Sequence, residues 1–334
     1  MERYFEVPDL FISVAKRITL AGAFFSAMFV VNHMAAAETS SSKDELSIAE
    51  AKQYMLSLIN RDRKSQGLRE VTWDETAERA GNSHSDEMAK LGYLSHWNTA
   101  GKKPDQRYCE AGGTGFVMEN GHIEFSGFPG DGAGTNTEFK VDPNATISKR
   151  DLDDIEAGFF NEQPPNDGHR LNILDPDHTK VGVGISVAKK GDSFRIACAQ
   201  EFIHSYGKIE ASPSAIKIGE SFTVKGSLDP GLRLSSLDLF FEGLPQPMSL
   251  KQLDETHGYG PPQLRVNTYF PNSSAAQGHL SMSESGGRQE FTCRFDTDPA
   301  TWKPGLYYVY IWTKTPDPNR IKPLCVASKT IEVR

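Results

Sequence analysis

The sequence predicts an α+β protein in two parts: helices around a small antiparallel sheet, then an all-β sandwich of the immunoglobulin kind. Three observations predict it. The chain has 334 residues, more than one hydrophobic core usually organises. Up to about Gly207 helical and strand periods alternate along the chain. Beyond Gly207 the helical period stops, and short β-rich runs punctuated by Pro, Gly and Ser take over.

The first residues set the expected compartment. Lys16-Arg17 precede an apolar stretch from Ile18 to Val31, which ends near Ala35-Ala36-Ala37. Basic residues, a short apolar segment and a small-residue exit describe a secretory signal peptide over residues 1–37, the alternative being an uncleaved anchor. The stretch is too short for a membrane span, so the mature chain is expected to be secreted and to lack a transmembrane segment. An oxidising compartment turns Cys109, Cys198, Cys293 and Cys325 into two expected disulfides. Pairing within each part, Cys109 with Cys198 and Cys293 with Cys325, is the simplest arrangement.

In the first part, residues 44–207, Ser47 and Glu50 form a capping box. Ile48, Ala51, Met55, Leu58 and Ile59 follow at helical spacing until Gly67. Asp74 can cap a second helix, with Ala77, Ala80, His84, Met88 and Leu91 on one face. A third runs from about Ser148, with Leu152, Ile155 and Phe159 inward and an acidic first turn. Val181, Val183, Ile185 and Val187 alternate with small or polar residues. After Lys190-Gly191-Asp192, so do Phe194, Ile196, Cys198, Gln200 and Phe202, which predicts a hairpin. The Gly-rich stretch between Asn120 and Asn144 has no period and is either a functional flap or an insertion. In the second part, residues 208–334, strands are expected over 221–226, 237–241, 289–295, 306–313 and 327–333.

Lys plus Arg total 36 against 44 for Asp plus Glu, a net charge of -8. That excludes a nucleic-acid binder, which should be basic. The acidic excess lies in the first part, so a partner steered by its field should be cationic. No dinucleotide or phosphate-binding glycine motif occurs.

The string Gly168-His169-Arg170-Leu171-Asn172-Ile173-Leu174 is followed by Asp175-Pro176 and Val181-Gly182-Val183-Gly184. With Leu58-Ile59-Asn60-Arg61, the Leu68 to Trp73-Asp74 segment and His84-Ser85-x-x-Met88-Ala89, it resembles the CAP superfamily, also called SCP-like. This superfamily holds the cysteine-rich secretory, antigen 5 and pathogenesis-related 1 proteins, and the nearest look is to its bacterial branch. The resemblance covers roughly residues 47 to 207 and implies an α-β-α sandwich with a cleft of two His and two Glu. By motif these are His169, His96 in Tyr93-Leu94-Ser95-His96, Glu119 in Met118-Glu119-Asn120, and Glu162 in Phe159-Phe160-Asn161-Glu162. Met118 stands where the family has glycine and Phe159 where it has tryptophan.

Two imidazoles and two carboxylates can do three things. Neutral His96 and His169 can bind a zinc-like divalent ion weakly while the carboxylates orient the rings. Glu119 or Glu162 can act as general base on metal-bound water. Or the four can form a hydrogen-bonded network that only shapes the cleft. The resemblance implies a non-catalytic binder of lipid, sterol or cell-envelope glycan. A metal-dependent hydrolase and a structural adhesion protein are the alternatives. Elsewhere, His84 reads as a core histidine on an apolar helix face. Tyr308, Tyr310 and Trp312 share a strand face that is either core or a glycan platform.

Overall fold

The computed structural model describes residues 13–14, 44–126, 138–256, 258–271, 273 and 279–334. The expected signal peptide, apart from Ser13–Val14, and the middle of the Gly-rich stretch lie outside the described residues. None of the described helices is long and apolar enough to cross a membrane.

Local chemistry sets the first helices. Ser47 and Glu50 close both bonds of the capping box, and α1 runs Ile48–Ser65. Asp74 accepts from the amides of Thr76 and Ala77 and starts α2, Glu75–Leu91. Gly92, at φ +78°, ends it in the left-handed region. A short helix not expected from the sequence, α3 at Pro104–Glu110, follows. Ser148 caps α4, Lys149–Phe160, and α5 is Gly168–Ile173.

In chain order the strands of the first part are β1 (Ser13–Val14), β2 (Glu45–Ser47), β3 (Thr72–Trp73), β4 (Phe116–Ser126), β5 (Lys140–Val141), β6 (Thr146–Ser148), β7 (Lys180–Lys190) and β8 (Ser193–His204). The main sheet has the order β1-β4-β8-β7-β3, with β5 on β7. The expected hairpin is β7 and β8, paired from Lys180–Ile203 to Lys190–Ser193.

This sheet is the middle layer. Val181, Val183, Ile185, Val187, Ile196, Cys198 and Phe202 pack with Met55, Leu58, Ile59, Leu152, Ile155 and Phe159, under α1 and α4. The alternate positions meet α2. A Cβ on Gly182 would lie 2.1 Å from the Glu78 nitrogen, and one on Gly184 2.1 Å from the Gly81 carbonyl carbon. Only glycine lets the helix backbone approach the strand this closely. The α-β-α layering follows.

The second part continues with β9 (Gly207–Ile209), β10 (Ala215–Ile216), β11 (Ser221–Leu228), β12 (Arg233–Glu242), α6 (Leu250–Asp254), β13 (Leu264–Tyr269), β14 (Leu280–Ser285), β15 (Arg288–Asp296), β16 (Gly305–Lys314) and β17 (Leu324–Val333). They form a five-stranded sheet, β10-β17-β16-β12-β13, and a four-stranded sheet, β14-β15-β11-β9. Phe222, Val224, Phe291 and Phe295 of one join Leu237, Leu239, Val309, Ile311 and Ile331 of the other in one core. The part is a β-sandwich.

The expected disulfides do not form: all four cysteines are free. Cys198 is in the core under α1 and α4, whereas Cys109 is on α3, across the sheet, where the Thr330 amide approaches its sulfur at 3.5 Å. Cys293 points into the sandwich core, and Cys325 lies on the other face of the five-stranded sheet with Phe240, Tyr308 and Tyr310. A sheet therefore stands between the members of each pair, so no rotamer can join them.

That outer face is not a glycan platform. Phe116 of the first part packs on it, 6.1 Å from Tyr310 centroid to centroid, and Lys103 stands over the Tyr308 ring. Ser328 donates to Asp105, and the buried Lys329 donates to the Gly113 carbonyl. The shared tyrosine face is the seam between the two parts.

Candidate functional site: two histidine–glutamate pairs beside strand β4

Strand β4 organises the site. It pairs with β8 so that Glu119 lies opposite Glu201 and Asn120 opposite Gln200, and consecutive residues face opposite sides. Glu119 thus faces α2 and α3, and Asn120 faces α4 and α5.

On the first side, the turn after Gly92 delivers His96. Its Nδ1 is 2.8 Å from Glu119 Oε1, and its backbone carbonyl accepts from Arg107 at 2.5 Å. Arg107, on α3, also donates to Glu119 Oε2. Burial opposes charge on Glu119, but Arg107, His84 and His96 outweigh it and hold the carboxylate well below its usual range. An ionised Glu119 only accepts, so His96 Nδ1 carries the proton and Nε2 is bare. Burial, countered in part by Glu119, lowers the His96 pKa, and the nearby His169 lowers it further. Glu201 takes the opposite state: burial, then the charge on Glu119, pushes it well above the carboxylate range. It is a buried neutral acid 3.7 Å from Arg107.

On the second side, Glu162 follows the end of α4. Its Oε1 meets His169 Nδ1 at 2.5 Å, and its Oε2 accepts the His169 amide at 2.9 Å, capping α5. Phe159 packs on the His169 ring at 4.7 Å, and Asn120 Nδ2 donates to the His169 carbonyl. The Nε2 atoms of both His96 and His169 are buried without a hydrogen-bond partner. The four residues named from the motifs therefore stand as two His–Glu pairs, His96 with Glu119 and His169 with Glu162.

The second part reaches over the first pair. Tyr259 packs on the His96 ring at 4.7 Å, and its hydroxyl accepts the Glu119 amide at 3.1 Å. Thr256 bonds Ser95 between hydroxyls, and Asp254 accepts the Leu94 amide at 3.4 Å.

The family described as "CAP: Cysteine-rich secretory protein family" matches residues 56–202. Residues 56–202 are a CAP domain. It holds every motif on which the resemblance rests and both histidine–glutamate pairs. The chain is 27% identical over 137 residues to the "Uncharacterized membrane protein YlbC" of Bacillus subtilis (strain 168), which is 40% of this chain and 31% of that protein. It thus spans about a third of that relative's length. Among solved structures, an extracellular protein containing a SCP domain from Bacillus anthracis matches at 18% identity and a TM-score of 0.32, over 52% of this chain and 45% of that one. Murine CRIg matches at 13% identity and a TM-score of 0.21, over 39% of this chain and 98% of that one.

His84 of the CAP domain is the core histidine expected. It is buried, its Nε2 meets the Ser95 carbonyl at 2.8 Å, and burial lowers its pKa to about 4. Its second neighbour, Glu119 at 3.8 Å, ties it to the site. Sequence reasoning missed Arg107, Glu201 and Tyr259. A buried Arg on a short helix carries no periodic signal. Tyr259 lies 140 residues from its partner.

Proposed function

We propose that the protein is a secreted, non-catalytic CAP-domain binder, with a cleft that takes a zinc-like divalent ion weakly through His96 and His169. The observation that carries this reading is Tyr259, whose ring covers His96. A hydrolytic centre needs an open position beside its base and room for a substrate. Both carboxylates are also committed elsewhere, Glu119 to Arg107 and His96, Glu162 to His169 and the start of α5. They orient the rings rather than wait for a proton. Two bare Nε2 atoms make fewer ligands than the three that hold a catalytic zinc, so the ion exchanges readily. The ligand class, lipid, sterol or cell-envelope glycan, follows the family resemblance, and secretion follows the signal-like start. The immunoglobulin-like reading of the second part is supported by its two facing sheets of mainly antiparallel strands.

The test pairs zinc calorimetry with ester and peptide turnover, on the wild type, Tyr259→Ala and the double variant His96→Ala, His169→Ala. Weak zinc binding that the double variant loses, with turnover in none of the three, is the expected result. Turnover that appears in Tyr259→Ala and vanishes when His96→Ala is added establishes the hydrolase instead. One observation favours the adhesion reading as a second. The edge strand β13 exposes Leu264 at 53% and Val266 at 46%, an open template for pairing. Val266→Lys should then reduce attachment to cell surfaces and leave the cleft unchanged.

A further inference from the structure

We infer that Asp175, His178 and His204 form a second site, distinct from the cleft, for a divalent transition-metal ion of the zinc class. Asp175 and His178 lie in the turn between α5 and β7, and His204 ends β8. Each offers one ligand atom, and the three atoms lie within 4.8 Å of one another.

The neighbours fix which atoms these are. His178 Nε2 is 2.8 Å from Asn172 Oδ1. The Asn172 amide nitrogen donates to Asn120 Oδ1, which holds its oxygen toward the ring. The proton of His178 is therefore on Nε2 and the lone pair on Nδ1. His204 Nδ1 is 2.9 Å from the Cys325 carbonyl, which can only accept. Its proton is on Nδ1 and its lone pair on Nε2. Both bare nitrogens are buried and have no hydrogen-bond partner. A ligand ring held through its other nitrogen by a carbonyl or amide oxygen is the usual outer support of a metal-bound histidine.

The carboxylate completes the set. Asp175 Oδ1 accepts the Asp177 amide, while Oδ2 faces His204 Nε2 at 3.6 Å, an ion-pair distance. That is too long for a hydrogen bond. Ligands bound at about 2.0–2.1 Å in a tetrahedral zinc site stand about 3.3 Å apart, so the Asp175–His204 pair is already near that spacing and the widest pair must draw in by up to about 1.5 Å. Arg63, the nearby cation, spends its guanidinium on the carbonyls of Arg69, Ile173, Asp175 and His178, which stiffens the turn and leaves Oδ2 to His204. An ion pair between a protonated His204 and Asp175 accounts for one ring but leaves His178 Nδ1 buried and unpartnered. A metal ion satisfies all three groups. Two imidazoles and one carboxylate suit zinc and its neighbours rather than calcium or magnesium. The Asp175 side chain is 26% exposed, which leaves water a way to a fourth position.

Because Cys325 holds His204 and Arg320 grips Asp177 through both carboxylate oxygens at 2.6 Å, the ion would sit against the seam between the two parts. The test uses the full chain, stripped with chelator and titrated with cobalt(II) and then zinc. Ring nitrogen-15 NMR is recorded on the wild type. Zinc should move the resonances of His178 Nδ1 and His204 Nε2. Asp175→Asn and His178→Ala should each weaken the cobalt-binding event at least tenfold, while the double variant His96→Ala, His169→Ala retains it. Failure of the cleft proposal would show only in that double variant. Unmoved His178 and His204 resonances at saturating zinc overturn the inference whether or not a variant folds, as does cobalt binding lost only in the double variant.

Discussion

Glu156 shows how one buried residue can govern pH behaviour. It lies on α4 with no exposure, accepts from Gln200 Nε2 at 2.6 Å, and its other oxygen has no partner. Burial pushes its pKa up to about 8, with the Gln200 bond opposing. The folded state therefore keeps a proton that the unfolded chain releases near 4.5. The resulting stabilisation is complete below about pH 4.5 and is lost as pH rises through about 8. Glu156→Gln keeps the shape and removes the charge. It should match the wild type in urea melts at pH 5 and exceed it by roughly 2 kcal/mol or more at pH 8.5, since each shifted pKa unit is worth about 1.4 kcal/mol. Equal stabilities at both pH values would refute the assignment. The sequence did not single out this residue, because Glu156 sits among the acidic residues of α4 and only its helical phase sets it apart. His96 and His169 were legible because their motifs are local strings. Asp175, His178 and His204 were not, since β8 must fold back along β7 to bring His204 to the turn.

At the scale of elements, what was legible is what neighbours in sequence decide. Ser47, Asp74 and Ser148 cap their helices through residues two or three positions away, and the β7–β8 hairpin is set by its own alternation. The later half of strand β4, from Asn120, was read as part of a Gly-rich stretch because Asn120 and His122, like Glu119 before them, break the apolar alternation. Their burial makes sense only with Arg107, Gln200 and the histidine pairs around them. The Val181-Gly182-Val183-Gly184 string was legible as a strand, but the reason for its glycines lies in α2. Gly184→Ala would drive a methyl into the Gly81 backbone, which cannot swing aside as a side chain can. It should destabilise the protein by about 3 kcal/mol. Gly158→Ala is the counterpart: it is exposed on α4, nothing lies within 4 Å of the added carbon, and it should stabilise by about 0.5–1 kcal/mol. Thermal melts of the two variants that shifted in the same direction would contradict the packing argument.

The whole molecule is held by its seam. The change in texture near Gly207 marks where the second part was expected to begin, and β9 spans that point, pairing Ile209 with Gly226. The docking of the two parts was not legible, because Phe116, Asp105 and Gly113 meet Tyr310, Ser328 and Lys329 across about two hundred residues. Free thiols follow from the same packing. Under denaturing conditions without reductant four cysteines should react with a thiol reagent, and reductant should leave the melting temperature unchanged. The seam makes a stronger prediction. Tyr310 is 2% exposed, stacks edge-on to Phe116 and Phe240, and belongs to the sandwich while filling the face against the CAP domain. With the seam intact, calorimetry should record one unfolding transition for both parts. Tyr310→Ala removes a large buried ring and should cost about 3–5 kcal/mol. It should also split the transition, because each part keeps its own core while the contacts that couple them are lost. Residues 44–206 expressed alone should then melt cooperatively below the intact chain, with Phe116 and His204 bared to water. A variant that still melts in one step at the wild-type temperature would show that the seam carries little of the coupling.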